Sequence, residues 1–245
     1  MSFPEWLQIV AVISLVTAGI SAVIIIIDLF TAPPQHMWIM NLVWPITALY
    51  LGPLAVLIYF LWGRSKGHGG HEHQQHHEHD QHHEHEQQHQ HEQQPAKKPF
   101  WSTCIVATTH CGSGCVLGDI IAEWGLFLFP MTLFGSRLLA GWTADYILAY
   151  LIGIAFQYFT LRPMQHLSAR ETLVKALKAD TVSITFWQIG MYGWMAITKF
   201  LIFGHEPSPL SPVFWFMMQL AMWLGFVTSF PSNAWLLKRG IKEGH

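Results

Sequence analysis

Six stretches of the chain, near residues 5–28, 38–62, 103–134, 139–161, 181–203 and 212–237, are predominantly apolar. Each reaches the roughly twenty residues that a helix needs to cross a bilayer. "TAPPQ" at 31–35 and "GHEPSPLSP" at 204–212 separate neighbours, because these prolines cannot continue a helix. The pattern predicts an all-α fold, a polytopic transmembrane helical bundle of about six spans. Pro45, Pro53 and Pro130 fall inside spans and predict kinks, which neighbouring helices accommodate. The first stretch reads as a retained helix and not a cleaved signal, since it lacks a basic n-region and a small-residue cleavage site.

One segment has a different rhythm. In 163–180, "PMQHLSARETLVKALKAD", the residues Leu167, Leu173, Val174 and Leu177 recur at helical spacing among charged positions. That predicts an amphipathic helix lying on the membrane surface before the fifth span. A plain helical connector is the other reading.

The basic residues orient the map. Arg64, Lys66, Lys97 and Lys98 lie between spans two and three, and Arg162, Arg170, Lys175 and Lys178 between spans four and five. Lys238, Arg239 and Lys242 follow span six. Eleven of the 13 Lys and Arg therefore fall on one face, with Arg137 and Lys199 near the other. By the positive-inside rule that face is cytoplasmic and holds both termini. The expected organisation is a two-helix hairpin over 1–62, a cytoplasmic loop over 63–99, and a four-span core over 100–245 that includes the connector.

Composition agrees with the pattern. Only 11% of residues are charged and 51% are hydrophobic, against about 25% charged in a soluble domain. Trp6, Trp38, Trp62 and Trp101 mark membrane interfaces. Three cysteines are too few for a secreted disulfide scaffold. No phosphate loop, nucleophile elbow, HExxH or haem CxxCH motif is present, and no basic patch for nucleic acid.

The loop is compositionally extreme. Residues 68–91 hold eleven of the 16 His and no Lys or Arg, and six acidic residues are interspersed between Glu72 and Glu92. With no large apolar side chain the tract cannot bury a core, so disorder is expected. Neutral imidazole binds zinc, copper and nickel, which makes His71, His73, His76, His77, His79, His82, His83 and His85 candidate ligands. A tolerated low-complexity linker is the alternative.

The densest chemistry inside a span is "THCGSGCVLGDIIAEW" at 109–124. On a helix Cys111, Cys115, Asp119 and Glu123 follow one another at i,i+4 and form a stripe. Beside it Gly114, Gly118 and Ala122 form a small-residue stripe that lets another backbone approach. His110 precedes the first thiol, and Gly112 and Gly114 suggest a broken or re-entrant start to the span. Each carboxylate at a span centre costs about 2.5–3.5 kcal/mol, whereas each Leu, Ile, Val or Phe returns about 0.3–0.6. The stripe is therefore expected to face inward.

Three readings fit it. His110, Cys111, Cys115, Asp119 and Glu123 could contribute to a transition-metal site. The carboxylates could instead carry protons or cations, with the thiols as packing. Or all of them could fix helix register. Asp145, Gln157, Gln188, Gln219, Asn41 and Asn233 are other intramembrane polar groups, with Asp145 the second acidic candidate or an interfacial aspartate. Asp28 and Asp180 sit near span ends. Met191 with Met195, and Met218 with Met222, read as flexible packing.

Several stretches together carry a resemblance: "MWIMNLVWPITALYLGP" at 37–53, "ATTHCGSGCVLGDIIAEW" at 107–124, "ILAYLIGIAFQYF" at 147–159, "KADTVSITFWQIGMYGWMA" at 178–196 and "SPVFWFMMQLAMWLGFVTSFPSNAWLLKRGIKE" at 211–243. The chain resembles the prokaryotic membrane proteins called DUF4396 over nearly its whole length apart from the histidine loop. The resemblance implies the multi-span architecture and places His110, Cys111, Cys115, Asp119 and Glu123 in the family's signature without roles.

The leading expectation is transition-metal transport or sensing in a prokaryotic plasma membrane, with zinc, copper or nickel bound and efflux favoured because the loop lies on the donor side. A membrane thiol redox enzyme and a non-catalytic accessory subunit are the alternatives. The expected partners are the lipid bilayer and metal ions, with a second copy or another membrane protein left open.

Overall fold

The computed structural model describes residues 3–33, 35, 37–64, 99–164, 168–204 and 207–242. The histidine tract, with His71, His73, His76, His77, His79, His82, His83 and His85, lies outside the described residues.

The described chain is helical: α1 (Glu5–Thr31), α2 (Met40–Leu51), α3 (Pro53–Ile58), α4 (Phe100–Leu128), α5 (Arg137–Met164), α6 (Ala169–Ile197) and α7 (Pro212–Lys238). Short π-helical turns extend α3 over Tyr59–Gly63 and α6 over Thr198–Phe203. Four of these helices, α1, α4, α5 and α7, are long and apolar enough to cross a membrane. α1 shows why a membrane is needed: Ile13, Ile20 and Ile27 are each more than half exposed on its outer face, an apolar strip that water would not tolerate.

The expected second span is not one helix. Gly52 takes a left-handed φ of 56° and Pro53 opens a new helix, so α2 and α3 are separate pieces. Pro130 does not kink the third span either. α4 ends at Leu128 and Pro130 lies beyond it. The break expected at Gly112 and Gly114 is likewise absent, because α4 runs unbroken through both.

The amphipathic connector is not a separate surface helix. From Ala169 it is the first part of α6, started by a capping box in which Ser168 and Glu171 satisfy each other's backbone N–H groups. Its packing face is Thr172, Ala176 and Ala179, whereas Leu173 and Val174 are exposed.

α4 is the axial helix: it packs against α2, α5, α6 and α7, and 78% of its most apolar window is buried against 28% for α1 and α5. Its small residues set the closest approach. A Cβ on Gly114 would sit 2.7 Å from the Gly153 Cα, and one on Gly118 would collide with the Ala149 backbone. The expected close partner of the glycine stripe is thus α5 of the same chain.

Candidate functional site

Polar side chains occupy successive levels along α4, and at 1.5 Å per residue the run from Cys111 to Glu123 climbs about 18 Å. At the level nearest the start of α4 the chain folds back on itself after α7. Gly240, at φ 65°, lets the Gly240 and Ile241 N–H groups bond the Leu237 and Leu236 carbonyls, a Schellman cap. The turn drives Lys242 into the bundle. Its ammonium lies 2.6 Å from Asp180 Oδ1 and 2.9 Å from Asn233 Oδ1, with both charged side chains fully buried. Ser183 donates to Asn233 Oδ1 and Ser229 donates to the Ser183 carbonyl, completing the network.

Asp180 and Lys242 were expected at solvated span ends, and both are interior. Asp28 does sit at an end, where Arg64 and the Tyr59 hydroxyl meet its carboxylate at 3.0 and 2.8 Å.

The next level holds His110, Cys111 and Cys115, all buried, with all three cysteines free. His110 turns towards α5. His110 Nε2 lies 2.8 Å from the Thr160 hydroxyl oxygen, which is itself 2.9 Å from the Phe156 carbonyl. Gln157 and Gln188 are buried as well, whereas Asn41 is exposed.

Asp119 forms the third level. It is 0% exposed, and neither carboxylate oxygen makes a hydrogen bond of acceptable geometry, although Gln188 lies close beside it. Residue Asp119 is part of the wall of a cavity of ≈ 200 Å³ between α1, α2, α4 and α7, which Tyr50, Trp215, Met218 and Met222 also line, but its carboxylate oxygens are closed off from it. Glu123 lies one turn further on, half-buried. It shares a second, water-sized cavity of ≈ 10 Å³ with Asp145 and Lys199. Asp145 is buried, which settles it as an interior group and not an interfacial one.

The stripe faces inward, but its members do not meet at one point. Among the described residues no three His, Cys, Asp or Glu side chains are grouped to hold a metal ion. The single centre expected from His110, Cys111, Cys115, Asp119 and Glu123 is not assembled. The reason is geometric: successive i,i+4 residues stack along the axis, so distant members of the stripe sit on different levels, and His110 is directed to α5.

Sequence reasoning missed Tyr50 and Trp215, which read as ordinary aromatics, and gave Lys199 and Lys242 no role beyond orientation. The signals were present for two of these. Gly240 followed by Ile241 after α7 is a helix-reversing pattern, and a lone Lys199 within an apolar stretch calls for an acidic neighbour.

These features define a class: an integral membrane helical bundle with ionisable groups stacked along its interior. The chain belongs to the family DUF4396, a domain of unknown function, whose model matches residues 100–242. The match begins with α4 and ends at Lys242, so the resemblance read at 37–53 lies outside it. No curated protein and no solved structure matches the chain.

Proposed function

We propose that the protein moves a cation, a proton included, across a prokaryotic plasma membrane, and that Asp119 binds it partway. One observation carries this reading. A fully buried carboxylate in the middle of the bundle has the neutral Gln188 amide beside it and makes no ion pair with a described Lys or Arg. A register-fixing aspartate would hold a permanent counter-charge, as Asp180 holds Lys242. One without it calls for a counter-charge that comes and goes. Acidic groups beyond it, Glu123 and Asp145, supply a next station towards the Leu128 end of α4. The segregation of Lys and Arg supports an orientation with the Phe100 end of α4 and the Lys238 end of α7 in the cytoplasm.

The transition-metal form of this reading has less support, because the thiols and His110 do not converge with the carboxylates. The redox alternative has less again, since Cys111 and Cys115, although neighbours on α4, are fully buried, and reactive thiols are ordinarily accessible.

Flux measurements in vesicles test the reading. Purified protein in proteoliposomes is assayed for uptake of protons, sodium, potassium, zinc, nickel and organic ammonium ions under imposed gradients. At least one flux is expected, and Asp119→Asn abolishes it. Vesicles with wild-type and Asp119→Asn protein that behave alike for every cation would overturn it.

A further inference from the structure

The expected second span does not run straight through, because its two halves lie side by side. In one continuous helix Trp44 and Gly63 would stand about 28 Å apart at 1.5 Å per residue. Instead a Cβ on Gly63 would collide with the Trp44 indole, and the rings of Trp44 and Tyr59 lie 5.5 Å apart between centroids. α2 therefore runs one way, and α3 with its π-helical turn runs back. With 12 residues, α2 covers about 18 Å, little more than half of a roughly 30 Å hydrocarbon core.

The turn between them lies at mid-bundle depth. A Cβ on Gly52 would stand 4.0 Å from the Cα of Ala18, halfway along α1. The Leu49 and Tyr50 carbonyls each accept a bond at 2.7 Å, from Gln219 and Trp223 near the middle of α7. The Gly52 N–H donates to the Ala48 carbonyl at 2.9 Å. These bonds supply the partners that non-helical backbone needs at such a depth.

The open ends of the pair gather at one face. Arg64 meets Asp28 near the end of α1, and Trp62 packs on Trp101 at the start of α4 with centroids 4.7 Å apart. Trp38, just before α2, packs on Phe159 near the end of α5. Lys238 lies over Phe100 on the same face, where the basic residues collect. The start of α1 is at the other face. There Phe3 meets Phe203, and Leu7 and Ala11 pack with Val213 and Met217 at the start of α7.

We propose that α2, Gly52 and α3 form a re-entrant hairpin, a plug that enters from the basic face, turns at mid-membrane and leaves by the same face. The chain then crosses the membrane five times, through α1, α4, α5, α6 and α7, and Glu5 lies on the opposite face from Arg64 and Arg239. The hairpin fills the inner half of the space between α1, α4 and α7. The ≈ 200 Å³ cavity, walled by Leu15, Gly19, Ile120 and Trp215, is the outer half left unfilled. Residues 1–63 contain no Lys or Arg, so the basic residues segregate identically in five spans and in six. The inference does not depend on cation transport.

A membrane-impermeant maleimide applied to intact cells that make the full-length protein tests it. Cys104, Cys111 and Cys115 are buried, so the wild-type protein supplies the blank. Single cysteines replace four exposed residues: Glu5, Pro33 between α1 and α2, Thr132 between α4 and α5, and Arg239 after α7. From outside, Glu5→Cys and Thr132→Cys are expected to be labelled and Pro33→Cys and Arg239→Cys protected, with all four labelled after permeabilisation. Labelling of Pro33→Cys together with Thr132→Cys, and protection of Glu5→Cys, is the six-span result and would sink the inference. Glu5→Cys and Pro33→Cys on one face would sink it too. The mirror pattern, with Pro33→Cys and Arg239→Cys labelled and the other two protected, keeps the hairpin and rejects only the cytoplasmic orientation. Vesicles without cation flux would reject transport and leave the labelling pattern as it is.

Discussion

Trp187 owes its burial to two glycines on different helices. A methyl at Gly112 of α4 would collide with the indole, and one at Gly225 of α7 would lie 2.9 Å from its ring nitrogen. Neither helix can yield, since each packs on several others. Gly112→Ala should therefore lower stability by about 1–3 kcal/mol through overpacking, read as a lower melting temperature in detergent. Gly125→Ala, where a Cβ meets open space, leaves it unchanged or raises it. The buried pair of Asp180 and Lys242 has larger stakes. Lys242→Ala strands a carboxylate in the interior and should cost about 3–5 kcal/mol. The double change Asp180→Asn with Lys242→Met restores most of the loss if the pair is a structural latch. Residue type alone marked Lys242 as a surface cation, and only the reversal after Gly240 puts it inside.

The helices show how local signals combine with packing. α6 begins where Ser168 and Glu171 form a reciprocal cap, and hydrogen bonds from Ser168 hold the Glu171 carboxyl below its usual range. The charged carboxylate's contribution is thus complete above the ordinary carboxyl pKa and fades as pH falls through the lowered value. Ser168→Ala should weaken the helix start by about 0.5–2 kcal/mol. Hydrogen exchange should then quicken at residues 169–172 while the centre of α6 stays protected. The helical spacing in this segment was legible, but not that the helix continues without a break into the next span. Leu173 and Val174 are exposed, as an apolar face laid on a membrane would be, whereas Ala176 and Leu177 pack against α5. On α4 the small-residue stripe was read correctly as a close contact, because glycine and alanine at i,i+4 permit one whatever the partner.

At the scale of the molecule, the segment that matches the family contains the Glu123, Asp145 and Lys199 cluster and the Asp180–Lys242 latch. α1 and α2, outside the match, wall the larger cavity. This separates two roles for the chain's candidate ligands. Protein lacking residues 68–91 should retain less than one zinc, copper or nickel ion per chain on elemental analysis, since no cluster of three ligands exists among the described residues. A stoichiometric ion kept by that protein and lost in Cys111→Ser with Cys115→Ser would restore the metal centre. Hydropathy and basic-residue segregation determined by themselves that this is an all-α membrane bundle, because burying backbone polar groups in lipid leaves helices as the economical answer to long apolar runs. The i,i+4 spacing likewise determined that Cys111, Cys115, Asp119 and Glu123 share one inward face. Only the tertiary structure decided what that face meets: where α5 and α6 approach, that Asp180 gains a cation, and that Asp119 has only the Gln188 amide beside it. Those outcomes depend on contacts between residues far apart in the chain, which periodicity along one helix does not encode.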